Sequence, residues 1–330
     1  MDNNTQTDLV KLFAQKNALQ DQMIARNRYA RAAIKGYAFA AVPDPEYTAM
    51  MEESSKNMDQ LLLQIMDEQD RRRAVKGPEK IRKEDVFVWG GPTPLWGGTM
   101  DPDTAVRGMK YFDAENAVYV YGTLNEETLQ LHQDCKKLIC QVTRTARSGE
   151  QLESDVECAE KLSLLSLKYP NIIGGIADDL VIYLGYNYSV KDVQAIRAAL
   201  KKHNDKLDLY GVVYARELDH ENIPRVAPCL DAVNLWLDRK SDLAEFDLIL
   251  EKCLVRFPGK KIMLGIFMQD INLSDLGYSN ELMLRYLNKI EKAYRDGKIQ
   301  SMVILGDREI AKFPELAQTI RQFFAERWNG

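Results

Sequence analysis

The chain changes its hydrophobic rhythm once, near residues 77–84. Before that point apolar side chains recur every three or four residues. Leu9, Leu12, Phe13, Leu19 and Met23 mark one helix over 7–38, and Met50, Met51, Met58, Leu61, Leu62, Ile65 and Met66 mark another over 46–74. Ala41-Val42-Pro43-Asp44-Pro45 separates them, because each proline biases its predecessor away from the α region. The pattern therefore predicts an antiparallel helical hairpin. Beyond residue 84 short, almost wholly apolar runs alternate with helix-period segments. Strands are expected near 85–90, 117–122, 137–143, 171–178, 208–215, 231–237, 260–267 and 300–306. Helices are expected near 102–112, 125–135, 149–168, 189–203, 222–229, 241–257, 279–296 and 309–327.

Runs apolar on both faces are those of a parallel sheet, and strand–helix alternation implies right-handed crossovers. Eight repeats in about 245 residues fit a closed (β/α)8 TIM barrel better than an open doubly wound sheet. The organisation expected is an N-terminal helical extension over 1–80 and a barrel over 81–330. No GxGxxG follows a strand and no GxxxxGK[ST] occurs, which removes the motif support for a dinucleotide or P-loop site.

The barrel expectation makes the strand ends the place to look for chemistry. The fourth run, Asn171-Ile172-Ile173-Gly174-Gly175-Ile176-Ala177, leads directly into Asp178-Asp179. Strand five leads to Arg216-Glu217, six to Trp236-Leu237-Asp238, seven to Gln269-Asp270 and eight to Asp307. Strand one carries Trp89 and reaches Trp96 through two Gly-Gly pairs, and strand three leads to Arg144 and Arg147. Carboxyl groups in pairs can protonate a leaving oxygen and act as nucleophile or base, while flat rings cover the apolar faces of sugars. The competing reading makes strand-end acids the N-caps of the following helices. Because side chains alternate along a strand, one of Asp178 and Asp179 should face the pocket and the other should turn outward to cap a helix or hold the loop.

Bulk properties narrow the partners only a little. A net charge of −5 over 330 residues gives no electrostatic reason to expect nucleic acid, and no apolar run approaches the roughly 18 residues of a membrane span. Five scattered cysteines without a CxxC pair read as reduced and structural. No HxH or HExxH occurs, His132 and His203 fall on expected helix surfaces, and no cofactor or zinc site is expected. The N-terminus lacks the basic and apolar regions of a signal peptide, so the cytoplasm is the default and a secreted or periplasmic form with its signal removed is the alternative.

Val88-Trp89-Gly90-Gly91, Gly174-Gly175-Ile176-Ala177-Asp178-Asp179-Leu180, Val233-Asn234-Leu235-Trp236 and the Pro258-Gly259-Lys260-Lys261…Leu264-Gly265-Ile266 stretch resemble the strand motifs of a loosely defined group. The group consists of uncharacterised bacterial TIM-barrel proteins usually described as glycoside-hydrolase-like, and the resemblance covers about 84–327. It implies a hydrolase on glycosidic bonds. Asp178 or Asp179 would be nucleophile or base and Glu217 or Asp238 the general acid. Trp89, Trp96, Trp236 and Asp270 would bind a carbohydrate or other small molecule, and Arg144 and Arg147 an anionic sugar. The alternatives are a non-catalytic carbohydrate-binding barrel, and a metal-dependent lyase or isomerase with Asp178, Asp179 and Glu217 around a divalent ion.

Overall fold

A computed structural model of the chain describes residues 3–33, 45–70, 80–94, 98–143, 153–181, 188–270, 276–306 and 308–328. Eight parallel strands close on themselves in sequence order: β1 (Val86–Gly90), β2 (Asn116–Tyr119), β3 (Lys137–Gln141), β4 (Ile172–Ala177), β5 (Asp208–Tyr214), β6 (Ala232–Trp236), β7 (Lys261–Ile266) and β8 (Ser301–Leu305). Closure is completed by β1 pairing with β8, Trp89 standing opposite Leu305. The protein is thus a (β/α)8 barrel. The strands are one or two residues shorter than their apolar runs. Val120, Val142 and Gly306 lie just past their strands, yet their N–H groups still reach Gly90, Ile176 and Trp89 of the neighbouring strands, at 3.0, 2.9 and 3.0 Å.

Two helices precede the barrel, α1 (Asn3–Ala33) and α2 (Pro45–Asp70). The helices that follow the strands are α3 (Thr104–Phe112), α4 (Glu126–Leu131), α5 (Asp155–Leu165), α6 (Val190–Leu200), α7 (Ile223–Val226), α8 (Phe246–Arg256), α9 (Asn280–Arg295) and then the pair α10 (Arg308–Lys312) and α11 (Pro314–Trp328). The single helix expected over 309–327 is split at Phe313. Pro314 disfavours a helical conformation in the residue before it and itself suits a first helical position. Asn125, Ser154, Ser189 and Ser279 start α4, α5, α6 and α9, each side-chain oxygen accepting from the third helical N–H.

Two apolar layers result. Outward-facing strand residues such as Val88, Ala117, Cys140, Leu235 and Leu264 pack under the helices, while Phe87, Trp89, Val118, Ile139, Ile176, Val212, Trp236, Phe267 and Val303 fill the barrel. All five cysteines are buried thiols in the outer layer or beneath its helices. His132 corrects the expectation of a surface residue: it is fully buried at the end of α4, with Nδ1 2.8 Å from the Thr128 carbonyl and its ring on Tyr119. Among the described residues no helix is long and apolar enough to cross a membrane.

The hairpin contributes Met23, Met51, Met58 and Met66 to the core and docks against α9 and the 3-10 segment Lys240–Glu245 that follows β6. Lys240 anchors it. Its Nζ, 2% exposed as a side chain, lies 2.5 Å from Asp59 Oδ1 and donates to Ser55 Oγ at 2.5 Å, both on α2. Asp59 Oδ2 in turn accepts from Ser279 N–H, at the start of α9, at 2.8 Å. Removing one partner of a buried pair strands the other charge in a low dielectric. Lys240→Met should therefore lower unfolding free energy by about 3–5 kcal/mol. The double variant Lys240→Met with Asp59→Asn should recover part of that loss, as read by urea denaturation. Equal stability of Lys240→Met and the parent chain would contradict the docking role.

Candidate active site at the barrel mouth

The carboxyl ends of the strands deliver one ring of polar and aromatic side chains. Ile176 belongs to the barrel interior, so the alternation of β4 turns Asp178 inward, where it is 3% exposed. Its backbone N–H donates to Thr143 Oγ1 at 3.1 Å. The Tyr121 hydroxyl and the Asp179 backbone N–H both hydrogen-bond to its carboxyl. Tyr121 is fixed from the other side, its N–H donating to Gln141 Oε1 at 2.7 Å, and Gln141 reaches Thr143 Oγ1 at 3.4 Å. Strands two, three and four are thereby laced together around one acid.

Asp179 departs from the expectation that the second aspartate turns outward. Its backbone is left-handed, with φ of 50°, which breaks the alternation of the strand, and its Oδ1 accepts from the Tyr214 hydroxyl at 2.8 Å. Both aspartates thus serve the mouth. Nor are these acids helix caps, since the helix that follows β4 is capped by Ser189. Three non-glycine residues with positive φ occur among the described residues. Asp113 ends α3; the other two, Tyr121 at 65° and Asp179, flank Asp178. A tyrosine in this region is held there against its own preference, at a cost of about 1–3 kcal/mol, and such strain gathers at functional sites.

Electrostatics separates the carboxyls. Burial pushes Asp178 well above the usual carboxylate range, and the adjacent Asp179 charge adds to the shift. Burial raises Asp179 too, but the Tyr214 hydroxyl and the Arg216 guanidinium pull it back toward the ionised form. Glu217 is pushed up to about 6 by burial, although one oxygen accepts from Tyr214 N–H at 3.0 Å. Asp238 is ion-paired with Arg216, whose guanidinium lies 4.5 Å from the centre of the Tyr214 ring. Asp270 is buried and accepts from Lys240 N–H at 2.8 Å, fastening the β6 and β7 loops to each other.

Trp89 and Trp236 are 4% and 3% exposed and form the floor below these acids. Their rings meet edge to face at 5.6 Å, Trp236 lies 4.5 Å from Phe267, and Trp89 lies 6.2 Å from Tyr121. Trp236 Nε1 donates to Asn234 Oδ1 at 2.8 Å. The indole of Trp236 crosses β7 only because residue 265 is glycine: a Cβ there would stand 2.0 Å from the ring. Trp96, Arg144 and Arg147 lie outside the described residues. Asp178, Asp179 and Glu217 do not assemble into a metal site: among the described residues no group of three or more His, Cys, Asp or Glu is placed to hold an ion.

Tyr121 and Tyr214, which grip the two aspartates, were not among the expected site residues. The only sequence signal for Tyr121 is the glycine after it, which marks a turn at the end of β2; Tyr214 carries none.

Glu217 should reveal itself in stability. Its folded pKa, about 6, lies above the ordinary value of 4.5, so the folded state holds the proton more tightly. That contribution is complete below pH 4.5 and is lost as pH rises through 6. Glu217→Gln, which keeps an acceptor for Tyr214 N–H, should stabilise the chain by about 2 kcal/mol at pH 7.5 and change little at pH 4. Urea unfolding at the two pH values checks this; a loss of stability at pH 7.5 would contradict the burial argument.

No family model and no curated protein sequence matches the chain. Among solved structures the barrel is similar to Bacteroides uniformis beta-glucuronidase at 12% identity and a TM-score of 0.47, over 69% of this chain and 30% of that one. It is similar to the tamarind chitinase-like lectin at 12% and 0.47, over 71% and 98%. It is also similar to the Bacillus cereus spore cortex-lytic enzyme SleL at 10% and 0.46, over 77% and 76%. The aligned part spans less than a third of the glucuronidase's own length, and at these identities the likeness is one of fold.

Proposed function

We propose that the chain hydrolyses glycosidic bonds with Asp179 and Glu217 as its reacting carboxyl groups and Asp178 as their positioning partner. The observation that carries this reading is the adjacent Asp178–Asp179 pair at the barrel mouth, the first buried and the second half-buried, each carboxyl gripped by a tyrosine hydroxyl. In a site of low dielectric two adjacent carboxyls do not both ionise freely, and environments that push their proton affinities apart assign them different roles. Asp179, drawn toward its ionised form by Tyr214 and Arg216, is the nucleophile or base. Asp178, held nearer neutrality, orients it and hydrogen-bonds the sugar. Glu217 is the general acid: it protonates the leaving oxygen as the C–O bond breaks, and the carboxylate or an activated water attacks the anomeric carbon. An ion-paired carboxylate is a poor proton donor, so Asp238 holds Arg216 in place instead. Trp89 and Trp236 shape the floor on which the ring rests.

A carbohydrate-binding barrel without turnover is the second reading. It is favoured by how many of the acids already hold structure: Glu217 caps the turn at Tyr214, Asp238 pairs with Arg216, and Asp270 fastens Lys240. The two readings separate on a substrate screen with the purified chain, since the second gives saturable binding and no cleavage.

On a glycoside that the parent chain cleaves, Asp179→Asn should lower kcat/KM by about 10²–10⁴-fold while leaving the fold and sugar affinity in place. A general acid must be protonated, so kcat/KM should fall as pH rises through about 6, and Glu217→Gln should remove that limb. Wild-type turnover in both Asp178→Asn and Asp179→Asn would refute the mechanism.

A further inference from the structure

Gln269 is a buried polar side chain at the mouth to which the mechanism above gives no role. The residue is 2% exposed, and its Oε1 has no hydrogen-bond partner among the described residues. An amide oxygen carries two lone pairs, and burying such an acceptor unmatched has a cost that native structures rarely bear without a reason. Strand alternation aims the side chain. Met263 and Phe267 belong to the barrel interior, Ile266 and Met268 to the layer under the helices, so residue 269 turns inward again. It stands two residues, about 7 Å, beyond Phe267 on the same face. The Phe267 ring in turn lies 4.5 Å from Trp236. An amide acceptor thus overlooks an aromatic wall, the pairing that suits a sugar ring with an apolar face and polar edges.

The backbone around Gln269 is held firmly, and none of its bonds uses the amide. Gln269 pairs with Gly277 in an antiparallel bridge. On either side Asp270 N–H donates to the Leu276 carbonyl at 3.1 Å and Tyr278 N–H to the Met268 carbonyl at 3.0 Å. This two-stranded arm is clamped to the N-terminal hairpin. Lys240 Nζ, already paired with Asp59, lies 3.4 Å from the Gly277 carbonyl, and Asp59 Oδ2 accepts from Ser279 N–H just beyond the arm. The acceptor is therefore set in place before any ligand arrives, which spares the ordering cost of binding. Glu217 Oε1 is unmatched in the same way, but the general-acid role supplies it with a partner. Gln269 is left with an acceptor and nothing to accept.

We infer that Gln269 is a substrate-binding residue, its Oε1 accepting from one hydroxyl of a sugar that lies over Trp236 and Phe267. The inference rests on the carbohydrate reading above and adds a specificity contact to it. A hydroxyl has a hydrogen to give, whereas a deoxy carbon or an ether oxygen at the same position has none. The site consequently selects against sugars that lack or alkylate that one hydroxyl, because they leave the acceptor buried and unpaired.

Two measurements on the full chain test it. Urea unfolding compares the parent with Gln269→Met, which keeps the length of the side chain and removes its polar atoms. An acceptor that is unmatched in the free chain makes this change stabilising, and the folding equilibrium constant should rise about tenfold. An unchanged or lower constant shows that Oε1 is already satisfied, for instance by a buried water, and overturns the inference. Titration calorimetry then takes the methyl β-glycosides of glucose, galactose, xylose and N-acetylglucosamine, followed by the monodeoxy analogues of whichever binds the parent most tightly. One analogue should bind the parent about tenfold more weakly than its hydroxylated counterpart, and the two should bind Gln269→Met equally. A deoxy penalty that is the same in parent and variant at every position overturns the role of Gln269 and leaves the carbohydrate reading standing. Absence of binding by all four glycosides overturns both.

Discussion

Closure of the sheet is the constraint on which everything else in this protein depends. A ring of eight parallel strands leaves no unpaired sheet edge, and it brings eight carboxyl ends to one opening. Residues that are remote in the chain become neighbours there: Trp89 from the first strand, Asp178 from the fourth and Trp236 from the sixth. The apolar floor beneath them excludes water, and the loss of hydration is what moves Asp178, Asp179 and Glu217 away from ordinary carboxylate behaviour. The same packing that stabilises the barrel thus creates the unusual acids at its mouth.

Those acids are held by a division of labour. One backbone amide and one tyrosine hydroxyl act on the Asp178 carboxyl, a hydroxyl and a guanidinium act on Asp179, and Asp238 holds that guanidinium. The donors on Asp178 favour its ionised form but are outweighed by burial and by the Asp179 charge, whereas Asp179 has the Arg216 guanidinium beside its tyrosine hydroxyl, and this difference gives the mouth its asymmetry. The two left-handed residues, Tyr121 and Asp179, are the local expense of this arrangement, and the laced hydrogen bonds from Gln141 and Thr143 keep the backbone there.

Much of this could be read along the chain. Apolar runs of both-face type, separated by helix-period segments, give the barrel and the hairpin because those periodicities are local properties. Asp178 and Asp179 stood out as candidates for the same reason, lying together at the end of the clearest run. That both would turn to the mouth was not legible, because strict alternation sends one of them outward and only the left-handed backbone of Asp179, in surroundings that include Tyr214, brings it back. The partners of Asp238 and Asp270 were hidden as well. Arg216 and Lys240 are charged residues in short 3-10 segments, and nothing in their neighbours says that one pairs with the end of the next strand and the other is buried under α2. The boundary between α10 and α11 was written plainly in Pro314, but an otherwise continuous helical pattern masks it.

The anchor at Lys240 also fixes an order of events during synthesis. Ser55 and Asp59 are made early, yet their partners Lys240 and Ser279 lie 185 and 220 residues further along the chain. At roughly 5–20 residues per second, the hairpin waits on the order of 10–40 s for the groups that complete its inner face. Over that interval Met51, Met58 and Met66 have no barrel to cover them, and the charges beside them keep their water. An element made before any strand of the barrel is therefore finished only after the seventh strand has been made.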